Sequence, residues 1–233
     1  MSVKYYLYVS NTKVEMLFDQ IPREILSGIA GELKINVGVL STTLKKVADP
    51  ETLYAKTKAV VRCIEKHENV GTIENPASCF KGRLSVKWGQ YKTSSKHLDE
   101  PSPLVYFSGY TGKTILGLGG SIHHVVGSVG HVKAHSHSTT PFMVEQIYKG
   151  LETPILTKDK EALYRSKDLE DIEDSESNIA MAIYLATFEM WGSEETVEFL
   201  ARRLAYFENG AHTNGRTDMN LLLGTPIYAA LEE

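Results

Sequence analysis

The sequence predicts an α/β to α+β fold: a mixed sheet from an N-terminal β-α-β-α unit plus an antiparallel meander, with a mainly helical C-terminal part packed on it. Three observations predict it. Short Tyr/Val-rich runs alternate with helically spaced apolar residues over the N-terminal third. Three β-rich runs separated by glycine or polar turns occupy the middle. Beyond His137 apolar residues return at helical spacing. On this reading residues 1–138 form the sheet domain and residues 139–233 the helical part, together making one compact unit.

The first run, "VKYYLYVS", is short and rich in aromatic and β-branched residues, hence a strand. Asn11 and Thr12 then offer N-cap chemistry ahead of a helical pattern that Pro22 divides in two, because its ring removes a backbone donor. "INVGVLS" reads as a second strand. Asp49 followed by Pro50 opens a helix that ends near Gly71. "SCFKGRLSVKWGQY", "PLVYFSGY" and "KTILGLGGSIHHVVGSVG" form the meander, and residues 93–103 are a polar, proline-containing loop. Helices are expected over residues 141–151, in "NIAMAIYLATFEMWG", and in "SEETVEFLARRLAYFENG", where Ser193 and the early glutamates mark a start and Gly210 a stop. The apolar run "DMNLLLGTPIYAALEE" is broken by Gly224 and Pro226.

Charge narrows the partners. A formal net charge of -4 offers no overall basic field, so a long nucleic acid is not expected and any phosphate contact must be local. The start of the chain has no basic segment followed by an apolar run, and no stretch reaches spanning length, so a cytoplasmic protein without a membrane partner is expected. Cys63 and Cys79 make neither a disulfide framework nor a CxxC knuckle.

Glycine and histidine dominate the candidate motifs. "GYTGKT" places Gly109 too close to Gly112 and Lys113 for a phosphate-binding loop, and no helix follows, so the expectation is a hairpin turn. In "GLGGSIHH" the residues Gly117, Gly119 and Gly120 leave a strand without side chains, which suits either a bulge or a ligand close to backbone. Five of the eight histidines, His123, His124, His131, His135 and His137, fall within fifteen residues. Imidazole titrates near neutrality and ligates metals, so such clustering points to acid/base or ligand chemistry. His135 and His137 would share one face of a strand, as a chelating pair does, but no carboxylate or cysteine stands nearby at ligand spacing. Lys81, Arg83 and Ser85 share one side of their strand, and Arg83 can fork an anion. The acidic run over residues 168–176 lacks the spacing of a calcium loop.

"YYLYVSNTKVEML", "VGTIENPASCFKGRLSVKWG", "VYFSGYTGKTILGLGGSIHHVVG" and "LLLGTPIYAAL" together resemble a family of uncharacterised bacterial proteins, found in actinomycetes among others. Its members share a WG-containing strand, a gap of variable length, and a YF-G strand leading to a GLGGS-xxH-xxG block. The resemblance implies a bacterial cytosolic protein, makes Gly117, Gly119, Gly120, Ser121 and His124 a characteristic block, and carries no established activity.

The functional expectation is therefore a protein that binds or senses a nucleotide or another phosphorylated small molecule. Its ligand residues would be Ser10, Asn11, Lys13, Arg83, Gly119, Gly120, Ser121, His123 and His124. One alternative is a metal-dependent phosphoester or amide hydrolase, with His124, His135 and His137 as catalytic candidates and His131, His135 and His137 as ligands of a divalent metal. Another is a non-enzymatic interaction module. Turnover and homo-oligomerisation stay open, and no cofactor is predicted beyond that divalent metal.

Overall fold

A computed structural model describes residues 4–33, 50–91, 103–127, 192–209 and 219–231, together with Ala180, Ile183, Tyr184, Ala186, Thr187 and Met190. The expected strand at 35–41, the loop at 93–103 except its last residue, the helix at 141–151 and the acidic run lie outside the described residues.

In chain order the elements are β1 (Tyr5–Val9), α1 (Asn11–Phe18), α2 (Arg23–Leu33), α3 (Pro50–His67), β2 (Val70–Gly71), β3 (Cys79–Gln90), β4 (Leu104–Tyr110), β5 (Thr114–Ser121), β6 (Glu195–Phe207) and β7 (Asn220–Leu231). A single 3-10 turn, Ile122–His124, follows β5. Pro22 separates α1 from α2 and Pro50 opens α3, as the sequence predicts.

Strands β3, β4 and β5 form the expected antiparallel meander. The sheet then closes. β5 pairs in parallel with β7, β7 pairs antiparallel with β6, and β6 returns antiparallel to β3, giving a five-stranded barrel in the order β7-β5-β4-β3-β6. Closure removes the free edges that an open sheet would expose.

This corrects the reading of "SEETVEFLARRLAYFENG": it is strand β6, not a helix. Val197, Leu200, Ala201 and Leu204 fit a helical stripe, but Val197, Phe199 and Ala201 also alternate, and they enter the barrel core while Leu200 packs on the outer helices. Pairing with two neighbouring strands decides between the periods. The final apolar run is likewise a strand, β7, so strands from both sides of residue 138 build one sheet.

Side chains fill the barrel. Phe80 and Phe199 meet edge to face at 5.8 Å, Trp88 stacks on Phe107 at 5.4 Å, and Leu116, Leu118 and Leu222 close around them. Outside, Val14, Phe18, Ile29, Val60 and Ile64 of α1–α3 cover Val9, Leu200, Ile227 and Ala230. On another flank Ala180, Ile183 and Ala186, which are helical as expected, pack with Met190 over Tyr106, Ile115, Leu221 and Leu223.

Candidate functional site at a gap in the barrel wall

Along one side of β7 the neighbour changes. β5 pairs in parallel with residues 220–224 and β1 pairs antiparallel with residues 228–231, leaving Thr225, Pro226 and Ile227 between them. Because β5 runs with β7 and β1 runs against it, the carboxyl ends of both strands arrive at this gap. Carboxyl ends that converge where strand order changes are favoured ligand positions in sheets. The second strand expected in the β-α-β unit lies outside the described residues; among the described residues the ladder partner of β1 is β7, antiparallel. The loop after it nonetheless lies at the carboxyl end of another strand.

Pro226 explains the irregularity. Leu200 pairs with Tyr228 but Ala201 pairs with Pro226, so Ile227 is an extra residue, a bulge that tolerates a proline lacking an N–H. The bulge turns carbonyls toward α1. Ser10 N–H donates to Ile227 O at 2.9 Å, and Lys13 Nζ donates to Thr225 Oγ1 at 2.7 Å and to Pro226 O at 3.1 Å.

Ser10, not Asn11 or Thr12, holds the N-cap position of α1. It is buried, and its hydroxyl makes no capping bond to the helix. The first turn of a helix carries N–H groups without intrahelical acceptors, so α1 presents donors here that its own cap does not take up.

Lys13 has only neutral partners. No carboxylate pairs with it among the described residues, and burial lowers its pKa to about 8. His124 stands close enough to feel that charge. Burial first, then Lys13 and His123, lower the His124 pKa to about 4, so its imidazole is neutral at pH 7. The His124 ring meets the Tyr8 ring edge on at 5.9 Å. Ser121 accepts from the His123 N–H at 3.4 Å and caps the 3-10 turn that carries both histidines.

Tyr8 ties the parts together. Its side chain is fully buried in the barrel mouth, and its hydroxyl lies beside Ser10 and the Ser121 backbone without completing a hydrogen bond to either. Asn11 Oδ1 is also buried and unpartnered among the described residues. The Tyr106 hydroxyl and Ser108 Oγ, away from this rim, are likewise unpartnered among the described residues, so it is the lysine with neutral acceptors that singles the rim out.

The glycine block has a structural cause. A Cβ at Gly120 would sit 2.3 Å from the Tyr8 hydroxyl, and one at Gly117 would sit 2.0 Å from the Tyr106 hydroxyl. Glycine is required so that two tyrosines can lie across β5. Gly119 is buried in the ladder opposite Tyr106.

The predicted residues thus divide. Ser10, Asn11, Lys13, Ser121 and His124 gather at the gap, with Gly120 beneath Tyr8 and His123 exposed next to them. Arg83 does not join them: it is exposed on β3 in register with Glu198, whose partner Ala230 lies about 16 Å along β7 from Thr225. His131, His135 and His137 lie outside the described residues. Among the described residues no group of three or more His, Cys, Asp or Glu could hold a metal ion. Sequence reasoning missed Tyr8, Thr225 and Pro226. A proline inside a long apolar run was the available signal of a bulge.

At the other end of β5, "GYTGKT" is the expected hairpin, with Tyr110 opposite Ile115. Its threonines hold a carboxylate: Thr111 Oγ1 donates to Glu74 Oε1, and Thr114 Oγ1 donates to Glu74 Oε2 at 2.8 Å. A polar cleft of about 650 Å³ opens there, lined by Glu74, Lys113, Tyr206, Glu208 and Asn220 among others.

Fold and rim define a closed, five-stranded mixed barrel flanked by helices, with a half-buried lysine at a gap in its wall. Over residues 4–233 the chain matches a family of unknown function, DUF7019, and it belongs to that family. No match was found among curated proteins or among solved structures. No helix among the described residues is long and apolar enough to cross a membrane.

Proposed function

We propose that the protein binds or senses a small phosphorylated molecule, a nucleotide or a comparable anion, at the gap between β5 and β1. One observation carries this reading: at the start of α1, where Ser10 makes no side-chain cap bond, Lys13 holds a half-buried ammonium against acceptors that, among the described residues, are all neutral. A cation with no counter-ion among the described residues and a helix start whose N-cap side chain makes no capping bond both favour an anion. The unpartnered Asn11 Oδ1 and Tyr8 hydroxyl would meet polar groups on the rest of the ligand. Arg83 has no part in this site.

Thermal denaturation in the presence of nucleoside mono-, di- and triphosphates, cyclic nucleotides, sugar phosphates and inorganic phosphate tests the proposal. A true ligand at a hundredfold excess over its Kd stabilises by about 2.7 kcal/mol, a shift of a few degrees. Lys13→Met should abolish the shift while the variant stays folded. The reading fails if no phosphorylated compound raises Tm, or if Lys13→Met leaves the shift intact.

A further inference from the structure

We propose that Lys13 is a nucleophilic amine that captures the carbonyl group of a small aldehyde or ketone as an imine. The proposal rests on the preceding reading only for where the ligand sits. Its own basis is the arrangement around Nζ.

An ammonium has three donors, and two are assigned: Thr225 Oγ1 and Pro226 O. Both acceptors also tolerate a neutral amine, since neither carries a charge that would be stranded when the proton leaves. Lys56 is held by the Glu15 carboxylate and Lys81 by that of Glu65. Lys13 differs from both. The low-polarity surroundings that burial provides favour its uncharged form, which is how enzymes activate lysine for carbonyl chemistry. Its titratable neighbours are His124 and, behind it, the exposed His123, with the buried Tyr8 ring against His124. His124, neutral at pH 7, is a proton acceptor within electrostatic reach of the amine. Lys13 and His124 are both only partly buried.

The chemistry balances without an oxidant. The Lys13 lone pair forms a C–N bond as the carbonyl π pair moves to oxygen, which takes up a proton. Nitrogen gives up its extra proton to His124 or solvent. The carbinolamine hydroxyl takes a second proton from solvent and leaves as water while the nitrogen lone pair forms the C=N bond, and the last N–H proton returns to solvent.

The test uses two aldehyde probes, pyridoxal 5′-phosphate and unphosphorylated pyridoxal, each incubated with the whole protein at pH 7.5, trapped with borohydride and mapped by peptide mass spectrometry. One stable adduct is expected on Lys13 at substoichiometric probe, with surface lysines modified at least tenfold more slowly. The Lys13 labelling rate should reach half its maximum near pH 8 rather than above 10, and Lys13→Arg should lose the adduct and keep its fold. Adduct with both probes supports the imine chemistry while removing the need for phosphate. Adduct with the phosphorylated probe alone supports both proposals. Labelling spread evenly over lysines overturns the inference, and if phosphates still raise Tm the binding reading survives it.

Discussion

At the hairpin end of β5 the Glu74 carboxylate receives a threonine hydroxyl on each oxygen, whereas at the opposite end the Tyr8 hydroxyl and Asn11 Oδ1 are buried with no hydrogen-bond partner among the described residues. The two ends share a strand. They differ in how their polar atoms are satisfied. A satisfied network fixes a turn, and its loss costs stability; an unsatisfied one carries a cost already present in the unliganded fold, which a ligand can recover. That is why the GKT turn, the more conspicuous motif, reads as structure and the quieter rim as a site.

The largest expected effect breaks the rim itself. Gly120→Ala would place a methyl 2.3 Å from the Tyr8 hydroxyl and 2.6 Å from the ring carbon bearing it, in a fully buried position. Overpacking of this kind costs about 1–3 kcal/mol, measurable by urea unfolding. Adding Tyr8→Phe to that variant should recover only part of the loss, because the ring carbon remains. Unfolding within 0.5 kcal/mol of wild type would mean that Tyr8 does not lie across Gly120.

A second pair of variants tests the contrast directly. Thr114→Val keeps the shape of a buried residue but removes the donor to Glu74 Oε2, and should cost about 1–2 kcal/mol. Tyr8→Phe at the rim removes a hydroxyl that completes no hydrogen bond among the described residues, and should leave stability unchanged or slightly raised. Equal losses at the two ends would erase the distinction.

Much of this fold was legible because local signals agreed: Pro22 and Pro50 at helix boundaries, and a meander punctuated by turns. β6 was not. Its Leu, Ala, Arg and Glu residues suit a helix, and only pairing with β3 and β7, distant in sequence, makes it a strand. The barrel followed from that strand and so was equally hidden. Within the site, the loop after β1 and the segment after β5 were nameable from the sequence, because N-cap residues and a Gly/His run carry chemistry wherever they fall. Their meeting was not, since it depends on β7 pairing with both strands and on a bulge at Pro226. Arg83 was misplaced for the same reason: alternation gives a side of a strand but not its distance from another loop.

The smallest effect is a pH dependence that separates the rim from every acidic ion pair. His124 has a folded pKa of about 4 against about 6.5 in an unfolded chain, so as pH falls through 6.5 the unfolded state takes up the proton first. Stability should therefore fall between pH 6.5 and 4 and level off below, by about 1 kcal/mol once the partial exposure of the ring is allowed for. Glu32, held at about 2 by Arg62 and Lys66, acts in a lower window, between its ordinary value near 4.5 and 2. On the alkaline side Lys13 mirrors His124: above pH 8 the folded protein releases its proton before the unfolded chain does, and stability should rise toward pH 10.5. Urea unfolding across pH 4–10 should show both arms in the wild type. His124→Gln should flatten the acid arm alone and Lys13→Met the alkaline arm alone. If neither variant changes the profile, the two groups are not buried together at the gap, and the rim loses the feature that sets it apart from the hairpin end.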